Sequence, residues 1–509
     1  MFQTFAHKFR WNVGLGRKMG DAVTCAPGMK QKFVFNIILL VILNLLVKPV
    51  YILAVEAEVQ NKVGAESYGT YFALLNLSFL MNILLDWGIT NWNTRHIAQN
   101  SSVLQKHFSK LFTSRFILIL VFIPAIFIAA IALHYRGEQL WLLSIIALSQ
   151  VFASLLLFLR SNLAGLHLFK EDSMVSILDR SFMILALGYL LWGRSNDAGF
   201  DIFWLAYGLL FSYIAACSVA FWILWKHIRP VKWMLDWPFT LSILRQSTPF
   251  ALLIAVSMLG ARTDAILLDR LAGADEAGIY AMGFRFFESL SMIAYLFGGL
   301  LLPMFARALS EREDITGLVH MGCKFLFAGC FAAAIWCFVD AKAILSLFYM
   351  NHLDQAGETF KWQMLAAVCF SMQYVFGTLL TADGQLRPLI RIALVGVVYN
   401  VALNLWYIPQ FGSVGAAMAC LLTQALILSM QVYVVYLRYR IQGMSNLFWR
   451  MLAYAVVLIA GAYFYENQTI FRLGTALDAG IFGIFAVAVA VLTGLLDWRA
   501  GQRMLRAKF

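Results

Sequence analysis

The sequence predicts an all-α polytopic membrane protein of about 14 transmembrane helices, with two six-helix lobes and two extra C-terminal helices. Three observations predict this fold. Hydrophobic residues make up 61% of the chain and charged residues only 13%, a composition that no soluble domain can bury. Long apolar runs follow one another along the chain. The octapeptide 64–71 also recurs without gaps at 273–280, each copy between two apolar runs, as in duplicated secondary transporters.

Fourteen apolar runs are long enough to cross a bilayer as helices, which satisfy their own backbone hydrogen bonds. They lie near 33–56, 68–94, 111–133, 139–160, 173–193, 201–226, 247–271, 277–306, 318–340, 360–382, 388–408, 412–437, 448–465 and 476–496. The first twelve form two sets of six, and the repeated octapeptide follows the first span of each set. Because six is even, the two halves share one orientation and are related by a pseudo-two-fold axis along the membrane normal.

The spans also divide the chain into parts. These are a basic tail (1–32), an N-lobe (33–226), a linker (227–246), a C-lobe (247–437), an added helix pair (438–498) and a second basic tail (499–509). Most of the 39 Lys and Arg residues, counting Arg115, Arg160 and Arg180, belong to the tails and even-numbered loops, so these are expected to be cytoplasmic. The same bias explains the net charge of +12. Charges scattered over many loops argue against a nucleic-acid partner.

The sequence offers little support for an enzyme. Its seven cysteines give no disulfide framework, no Cys/His cluster has metal-ligand spacing, and there is no Walker loop. We therefore expect no metal, no resident cofactor and no catalytic residue. A polytopic glycan polymerase or ligase typically needs a large outer loop, whereas the longest odd-numbered loop here is 341–359. A transporter is the favoured class.

Polar residues in the first span suggest a binding site. A charge inside a span costs about 2.5–3.5 kcal/mol on insertion scales, so it persists where it meets a cavity or a partner. Asn44, Lys48 and Tyr51 share one helical face, and Pro49 should kink the helix as a hinge. We predict that this face binds substrate. The alternative is that Lys48 snorkels or pairs with a carboxylate.

The second span carries a polar stripe at helical spacing, formed by Ser78, Asn82 and Asp86, with Asn93 slightly off line. Asp86 is predicted to pair with Lys48 or to bind a coupling cation. The alternative is a hydrogen-bonded seam between two helices.

The seventh span carries Arg262, Asp264, Asp269 and Arg270 near its end. Arg262 is predicted to face a cavity and bind substrate. Asp264 points elsewhere and is a candidate for ion coupling or a charge pair. Asp269 and Arg270 are expected to form an interfacial ion pair.

The eighth span carries Arg285 and Glu288 at i, i+3, and Glu288 is a candidate for ion coupling or a charge pair. The forked guanidinium of Arg285 could bind a phosphate, with an intrahelical pair to Glu288 as the alternative. Spans one, two, seven and eight thus supply three cations, Lys48, Arg262 and Arg285, against the acids Asp86 and Glu288. Equivalent spans of two repeats often form a transport site at the repeat interface. The charge balance favours an anionic substrate whose lipid tail stays in the bilayer.

Several motifs carry a family resemblance. They are Tyr68-Gly69-Thr70-Tyr71, Leu85-Asp86-Trp87-Gly88-Ile89-Thr90-Asn91, Thr94-Arg95, Arg262-Thr263-Asp264, Gly278-Ile279-Tyr280-Ala281, Leu302-Pro303-Met304-Phe305-Ala306-Arg307 and Phe411-Gly412-Ser413-Val414-Gly415-Ala416-Ala417. With them the chain resembles the multidrug/oligosaccharidyl-lipid/polysaccharide (MOP) superfamily over nearly its whole length. More narrowly, it resembles the polysaccharide-transporter branch, the Wzx-type flippases.

This resemblance implies two lobes in a V shape around an alternating-access cavity. The implied cargo is an undecaprenyl-diphosphate-linked oligosaccharide, moved from the inner to the outer leaflet of a bacterial inner membrane. Such cargo serves lipopolysaccharide O-antigen, capsule or exopolysaccharide synthesis. H⁺ or Na⁺ is the implied coupling cation. Expected partners are membrane lipids and the polysaccharide polymerase or chain-length machinery.

Two related transporter classes are alternatives. Lipid II flippases have a similar helix count and a cationic cavity formed by the same four spans, so charge alone does not separate them from the favoured class. Cation-coupled multidrug exporters usually have twelve spans and an acid-dominated cavity, whereas cations prevail in this chain and two spans are added.

Overall fold

A computed structural model describes residues 47–90, 93, 97, 102–166, 168–193, 199–228, 236–466 and 475–496. Within these residues the regular structure is entirely helical, and ten helices are long and apolar enough to cross a membrane. Two of the ten run through more than one predicted span: Val47–Asp86 covers parts of the first two, and Leu386–Tyr439 covers the eleventh and twelfth. The all-α polytopic fold is confirmed. Asn44, both tails and part of the linker lie outside the described residues.

The helices follow one another in the predicted order. They are π1 (Tyr51–Glu56), α1 (Ala57–Met81), α2 (Ile83–Asp86), α3 (Ser102–Ala132), α4 (Glu138–Gly165), α5 (Phe169–Gly188), π2 (Tyr189–Gly193), α6 (Ile202–Trp225), α7 (Trp237–Leu271), α8 (Ala274–Glu311), α9 (Thr316–Val339), α10 (Ala341–Ser346), α11 (Leu353–Ala382), α12 (Leu386–Tyr439), α13 (Met444–Glu466) and α14 (Thr475–Leu492).

The two copies of the repeated octapeptide begin with the same backbone turn. Gly64 has φ 83° and ψ 166°, and Gly273 has φ 100° and ψ 167°. Both positive φ values lie in a region that residues with a side chain rarely adopt, so glycine is required at each turn. Each turn connects two spans of the same lobe. The sequence repeat is therefore also a repeat of local structure.

The helices that follow these turns contact each other directly. A Cβ atom added at Gly69 would lie 1.7 Å from the carbonyl oxygen of Ala274, and one added at Gly278 would lie 2.0 Å from that of Ala65. The reciprocal pattern is what a two-fold relation between the repeats produces. The N-lobe and C-lobe thus meet backbone to backbone at the start of their second helices.

The first span is irregular where the proline was expected to disturb it. The π-helix Tyr51–Glu56 begins two residues after Pro49. A wide turn of this kind interrupts the regular hydrogen-bond ladder and often marks a functional site. The local irregularity agrees with the predicted kink, whereas the predicted hinge motion stays a prediction.

The second span ends differently from the prediction of one continuous helix over 68–94. Helix α1 ends at Met81 and the short α2 ends at Asp86. Trp87 and Gly88 then have φ values of 43° and 76°. The predicted continuity is wrong because two successive left-handed residues cannot continue a right-handed helix.

We call the end of the bundle that carries the turns at Gly64, Gly137, Gly273 and Gly412 the odd end, and the opposite end the even end. At the odd end, Tyr135 of the N-lobe donates a hydrogen bond to Asp269 Oδ2 at 2.7 Å. The Arg270 guanidinium lies 3.8 Å from the Tyr135 ring centroid and pairs with Asp269. The predicted Asp269–Arg270 pair is confirmed. Burial and the neighbouring Asp269 charge raise the pKa of Tyr135.

The two lobes also contact each other at the even end. Lys110 of α3 forms an ion pair with Asp236, the N-cap of α7, at 2.7 Å. Hydrogen bonds from Lys110 and from the Phe239 amide lower the pKa of Asp236. The hydroxyl oxygens of Ser114 and Thr240 lie 2.7 Å apart, and Trp87 Nε1 donates a hydrogen bond to Thr248 Oγ1 at 3.3 Å. A Cβ atom added at Gly88 would lie 3.2 Å from Ser247 Cβ.

The last two helices lie outside the duplicated lobes. Tyr454 of α13 packs between Phe327 and Phe331 of α9 and donates a hydrogen bond to the Ala328 carbonyl at 2.9 Å. Helix α14 packs on the same α9 through Phe482 and Trp336. The added pair is thus attached to the C-lobe.

Candidate functional site

Arg262 lies where the two lobes meet. From α7 its Nη1 donates hydrogen bonds to Glu288 Oε1 of α8 at 2.8 Å and to Asn76 Oδ1 of α1 at 3.3 Å. Its guanidinium also lies 4.9 Å from the centroid of the Phe79 ring. The Arg262 side chain remains 20% exposed and that of Glu288 41% exposed. A cation inside the membrane region therefore bridges the lobes and is partly exposed.

The Arg262–Glu288 pair shows which arginine binds Glu288. The alternative of an intrahelical Arg285–Glu288 pair is wrong, because Glu288 pairs with Arg262 of the preceding helix. Residues at i, i+3 share a helix face, but the C-lobe packing brings a better-placed guanidinium to the carboxylate. This choice is invisible in the sequence because it depends on how α7 and α8 pack.

Arg285 is enclosed rather than open to a cavity. Its side chain is 4% exposed and its guanidinium lies 4.5 Å from the Tyr68 ring centroid. Nη1 donates a hydrogen bond to the Tyr349 hydroxyl at 2.8 Å. The acid beside it is Glu56 of the first span, with 4.0 Å between Arg285 Nη2 and Glu56 Oε1. Sequence reasoning missed Glu56, Tyr68 and Tyr349 as neighbours of Arg285.

Lys48 lies in the N-lobe, apart from Asp86. Its charged neighbours are Asp179, Arg180 and Arg160. Tyr51, on the same face, lies under the Arg180 guanidinium at 4.8 Å from ring centroid to Cζ. The predicted face of the first span thus borders a charged cluster on α4 and α5.

That cluster was missed at the sequence level. Arg180 lies inside the span predicted at 173–193, with its Nε 3.6 Å from Asp179 Oδ2. Arg160 of α4 binds both carboxylate oxygens of Asp172, at 2.7 and 3.4 Å. The other candidate residues are identified by being charged and lying inside a predicted span. Arg160 and Arg180 are instead counted with the loops that are expected to be cytoplasmic.

Asp86 is a structural residue of the N-lobe. Arg115 of α3, only 1% exposed, pairs with its carboxylate and donates to Thr90 Oγ1 at 2.7 Å. Arg115 also donates to Ser154 Oγ at 2.8 Å. The predicted pair between Asp86 and Lys48 is wrong, since Arg115 already occupies the carboxylate. This buried arginine was likewise counted among cytoplasmic charges.

The alternative reading of the second span as a hydrogen-bonded seam is confirmed. Asn82 donates to Gln150 Oε1 at 3.3 Å, and Asn93 donates to Ser161 Oγ at 2.8 Å. Both partners lie on α4. The polar stripe therefore attaches the second span to the rest of the N-lobe.

Asp264 lies inside the C-lobe, 4% exposed. The amides of Asn400 and Asn404 on α12 donate to its Oδ1 at 2.9 and 2.7 Å, and the Tyr280 hydroxyl lies 3.5 Å from Oδ2. Asn400 also contacts the Thr423 hydroxyl at 3.4 Å. The groups that face the carboxylate are therefore donors, two amide N–H groups and one hydroxyl. The carboxylate oxygens themselves are of the kind that suits a hard cation. Among the described residues, no group of three or more His, Cys, Asp or Glu side chains could hold a metal ion.

A family model described as polysaccharide biosynthesis protein matches residues 33–309, more than half of the chain. The lipid III flippase of Escherichia coli (strain K12) is 28% identical over 183 residues, covering 35% of this chain and 44% of that protein. The match thus spans less than half the length of this curated relative.

Solved structures also resemble this chain. The lipid II flippase MurJ, in an inward closed conformation, matches with a TM-score of 0.70 at 14% identity, covering 92% of this chain and 98% of that chain. An inward-facing multidrug resistance MATE family transporter of the MOP superfamily matches with a TM-score of 0.57 at 15% identity, covering 77% of this chain and 94% of that chain. This chain has the fold of these transporters.

Proposed function

Because this chain belongs to the polysaccharide biosynthesis protein family, we propose that it is a flippase for an undecaprenyl-diphosphate-linked oligosaccharide. It moves this cargo from the inner to the outer leaflet of a bacterial inner membrane, for surface polysaccharide synthesis. The even end and both termini face the cytoplasm, and the odd end faces outward. The lobes alternate between openings at the two ends.

The observation that carries this proposal is Arg262, a partly exposed guanidinium held between the lobes by Glu288 and Asn76. A planar guanidinium can donate two parallel hydrogen bonds to two phosphate oxygens. The diphosphate of the cargo replaces Glu288 as the partner of Arg262. Lys48 adds positive charge from the N-lobe side, while the lipid tail stays in the bilayer.

The coupling cation belongs at Asp264. Asp264 is buried in the C-lobe, and Oδ1 of the neighbouring Asn404 has no hydrogen-bond donor among the described residues, so these oxygens are the ones that would bind the cation. The other predicted coupling acids, Asp86 and Glu288, are already engaged by Arg115 and Arg262. Na⁺ or H⁺ at Asp264 neutralises a buried charge and thereby favours one arrangement of α7 against α12.

Two comparisons support a lipid-linked cargo over a drug. The family model is described as a polysaccharide biosynthesis protein, and the curated relative is a lipid III flippase. A polysaccharide polymerase or chain-length protein is the partner that would consume the flipped product.

The test is deletion of the gene, followed by measurement of the leaflet distribution of undecaprenyl-linked oligosaccharide. The wild-type chain should restore export. Arg262→Ala should lower export about 10- to 100-fold, as expected for the loss of about 1.5–3 kcal/mol in hydrogen bonds to a charged group. Arg285, the third predicted cation, also contacts both lobes, and Arg285→Ala should abolish export without lowering protein abundance. Arg307→Ala, an exposed arginine paired with Glu311, is the matched control.

Normal export by Arg262→Ala would remove the diphosphate assignment at that residue. Normal glycan export in the deletion strain, together with new sensitivity to cationic drugs, would instead identify a multidrug exporter. Accumulation of lipid II on the inner leaflet would identify a lipid II flippase.

A further inference from the structure

Glu56 is a carboxylate of the N-lobe that lies against an arginine of the C-lobe. It ends π1, accepts a hydrogen bond from the Tyr68 hydroxyl at 2.7 Å, and lies 4.0 Å from Arg285 Nη2. Tyr68 also lies under the Arg285 guanidinium. One tyrosine therefore holds Glu56 by its hydroxyl and Arg285 by its ring.

The partners of Arg285 are incomplete. Its side chain is 4% exposed, and among the described residues Nη2 has no hydrogen-bond acceptor. A buried charged group without full hydrogen bonding is costly, so it needs an anion nearby. The acid of its own helix, Glu288, is engaged by Arg262. The nearby anion therefore comes from the opposite lobe, as Glu56.

The position of this contact gives it a role in opening. On α8, Arg285 follows Gly278 by seven residues, about two helical turns, and Gly278 contacts the Ala65 backbone of the N-lobe. Tyr349, which accepts from Arg285 Nη1, belongs to the segment between α10 and α11. Asn61, beyond Glu56, donates to the Phe348 carbonyl at 2.8 Å. The outer end cannot open unless these contacts between the lobes separate.

We propose that Arg285 is a second position for the cargo's diphosphate after Arg262, and that Glu56 is an internal anion that occupies this enclosed position and keeps the outer end closed until cargo arrives. This inference rests on the proposed function. The diphosphate offers several charged oxygens, whereas Glu56 reaches Arg285 without a direct hydrogen bond. Charge-assisted bonds from Nη2 to the diphosphate are therefore stronger than the existing contact.

Glu56 keeps a hydrogen-bond partner when it loses Arg285, because its hydrogen bond with Tyr68 lies within the N-lobe. The exchange thus separates the lobes while Glu56 keeps this hydrogen bond and Arg285 gains another anion. An empty carrier can close its outer end again because Glu56 returns to Arg285.

The test measures the opening of the outer end in the full chain, purified and reconstituted. Spin labels at Ser67→Cys in the N-lobe and Met350→Cys in the C-lobe report the distance between the lobes, with the seven native cysteines replaced by alanine. Met350 is 75% exposed and Ser67 is also exposed. Inorganic pyrophosphate is the probe, compared with chloride at equal ionic strength.

In the otherwise wild-type chain, pyrophosphate should shift the distances toward a longer population. Glu56→Gln should show that longer population at least threefold enriched without pyrophosphate, and pyrophosphate should add little. Glu56→Asp, which keeps the charge, should fall between the two. Glu58→Gln, an acid two residues further on, should behave as wild type.

Equal distance distributions for Glu56→Gln and wild type would overturn the inference. So would a pyrophosphate shift of the same size in both, or no shift in wild type. Monodisperse gel filtration checks that each variant is folded. Failure of the proposed function is read separately, as failure of the wild-type gene to restore glycan export in the deletion strain.

Discussion

At the scale of single residues, the charges inside the helices differ by whether their partners lie in one lobe or in both. Within the N-lobe, the buried Arg115 pairs with the partly exposed Asp86. Removing the anion of a fully buried cation typically costs about 3–5 kcal/mol, because the cation stays buried and unpaired. Arg262 and Arg285 contact both lobes. The first pair stabilises one lobe, whereas the other two arginines connect the two lobes.

Asp264 carries a prediction at this scale. Sodium chloride should raise the thermal stability of the wild-type chain above that in potassium chloride, since a ligand of the folded state adds about 2.7 kcal/mol at a hundred times its Kd. Asp264→Asn should lose this sodium effect because the pocket loses its charge. Differential scanning calorimetry in matched salts measures it.

Asp201→Asn is the control, because Asp201 is exposed at the N-terminus of α6. It should keep the full sodium effect. Absence of a sodium effect in the wild-type chain would contradict Na⁺ at Asp264 and leave H⁺ as the coupling ion.

At the scale of elements, the repeated glycines determine how the lobes meet. Gly64 and Gly273 make the same left-handed turn, and Gly69 and Gly278 then let the following helices touch. A glycine inside a helix normally destabilises it by about 0.5–1 kcal/mol relative to alanine. Gly69 and Gly278 lie where a side chain would push the two lobes apart.

Gly278→Ala should therefore destabilise the closed odd end. Its new Cβ would lie 2.0 Å from the Ala65 carbonyl oxygen, and overpacking of this kind costs about 1–3 kcal/mol. The expected results are a lower melting temperature and a longer distance between lobes at the odd end.

The same helix offers the matched control. A Cβ at Gly299 would meet nothing within 4 Å, so Gly299→Ala should leave the melting temperature unchanged or raise it slightly. Equal effects of the two substitutions would show that the glycine contact does not hold the lobes together.

At the scale of the whole molecule, the lobes are joined at both ends. Tyr135 with Asp269, and Glu56 with Arg285, join them at the odd end. Lys110 with Asp236 joins them at the even end. Alternating access requires that each set of contacts break in turn.

A cross-link at the even end should stop transport. Ser114 and Thr240 lie on different lobes with their hydroxyl oxygens 2.7 Å apart, so cysteines at both positions can form a disulfide. The oxidised double variant should lose at least nine-tenths of glycan export, and dithiothreitol should restore it. Each single cysteine variant serves as the control.

Full export by the oxidised, cross-linked protein would mean that the even end need not open. The fraction cross-linked is measured by thiol labelling in the same cells, so that incomplete oxidation is not mistaken for transport.

The sequence by itself determined the helical class, the order of the spans and the duplication. Hydropathy and a gap-free octapeptide repeat are local signals that need no knowledge of packing. It also identified Lys48, Arg262, Arg285 and Asp264 as charges that must be accommodated inside the membrane, because such charges are costly wherever they lie.

Only the tertiary structure decided which charges are partners. Glu288 pairs with Arg262 rather than Arg285, Asp86 with Arg115 rather than Lys48, and Glu56 approaches Arg285 from the other lobe. Each of these choices depends on distances between helices that are far apart in sequence. Periodicity gives the face of a helix on which a side chain lies, but not the helix that this face will meet.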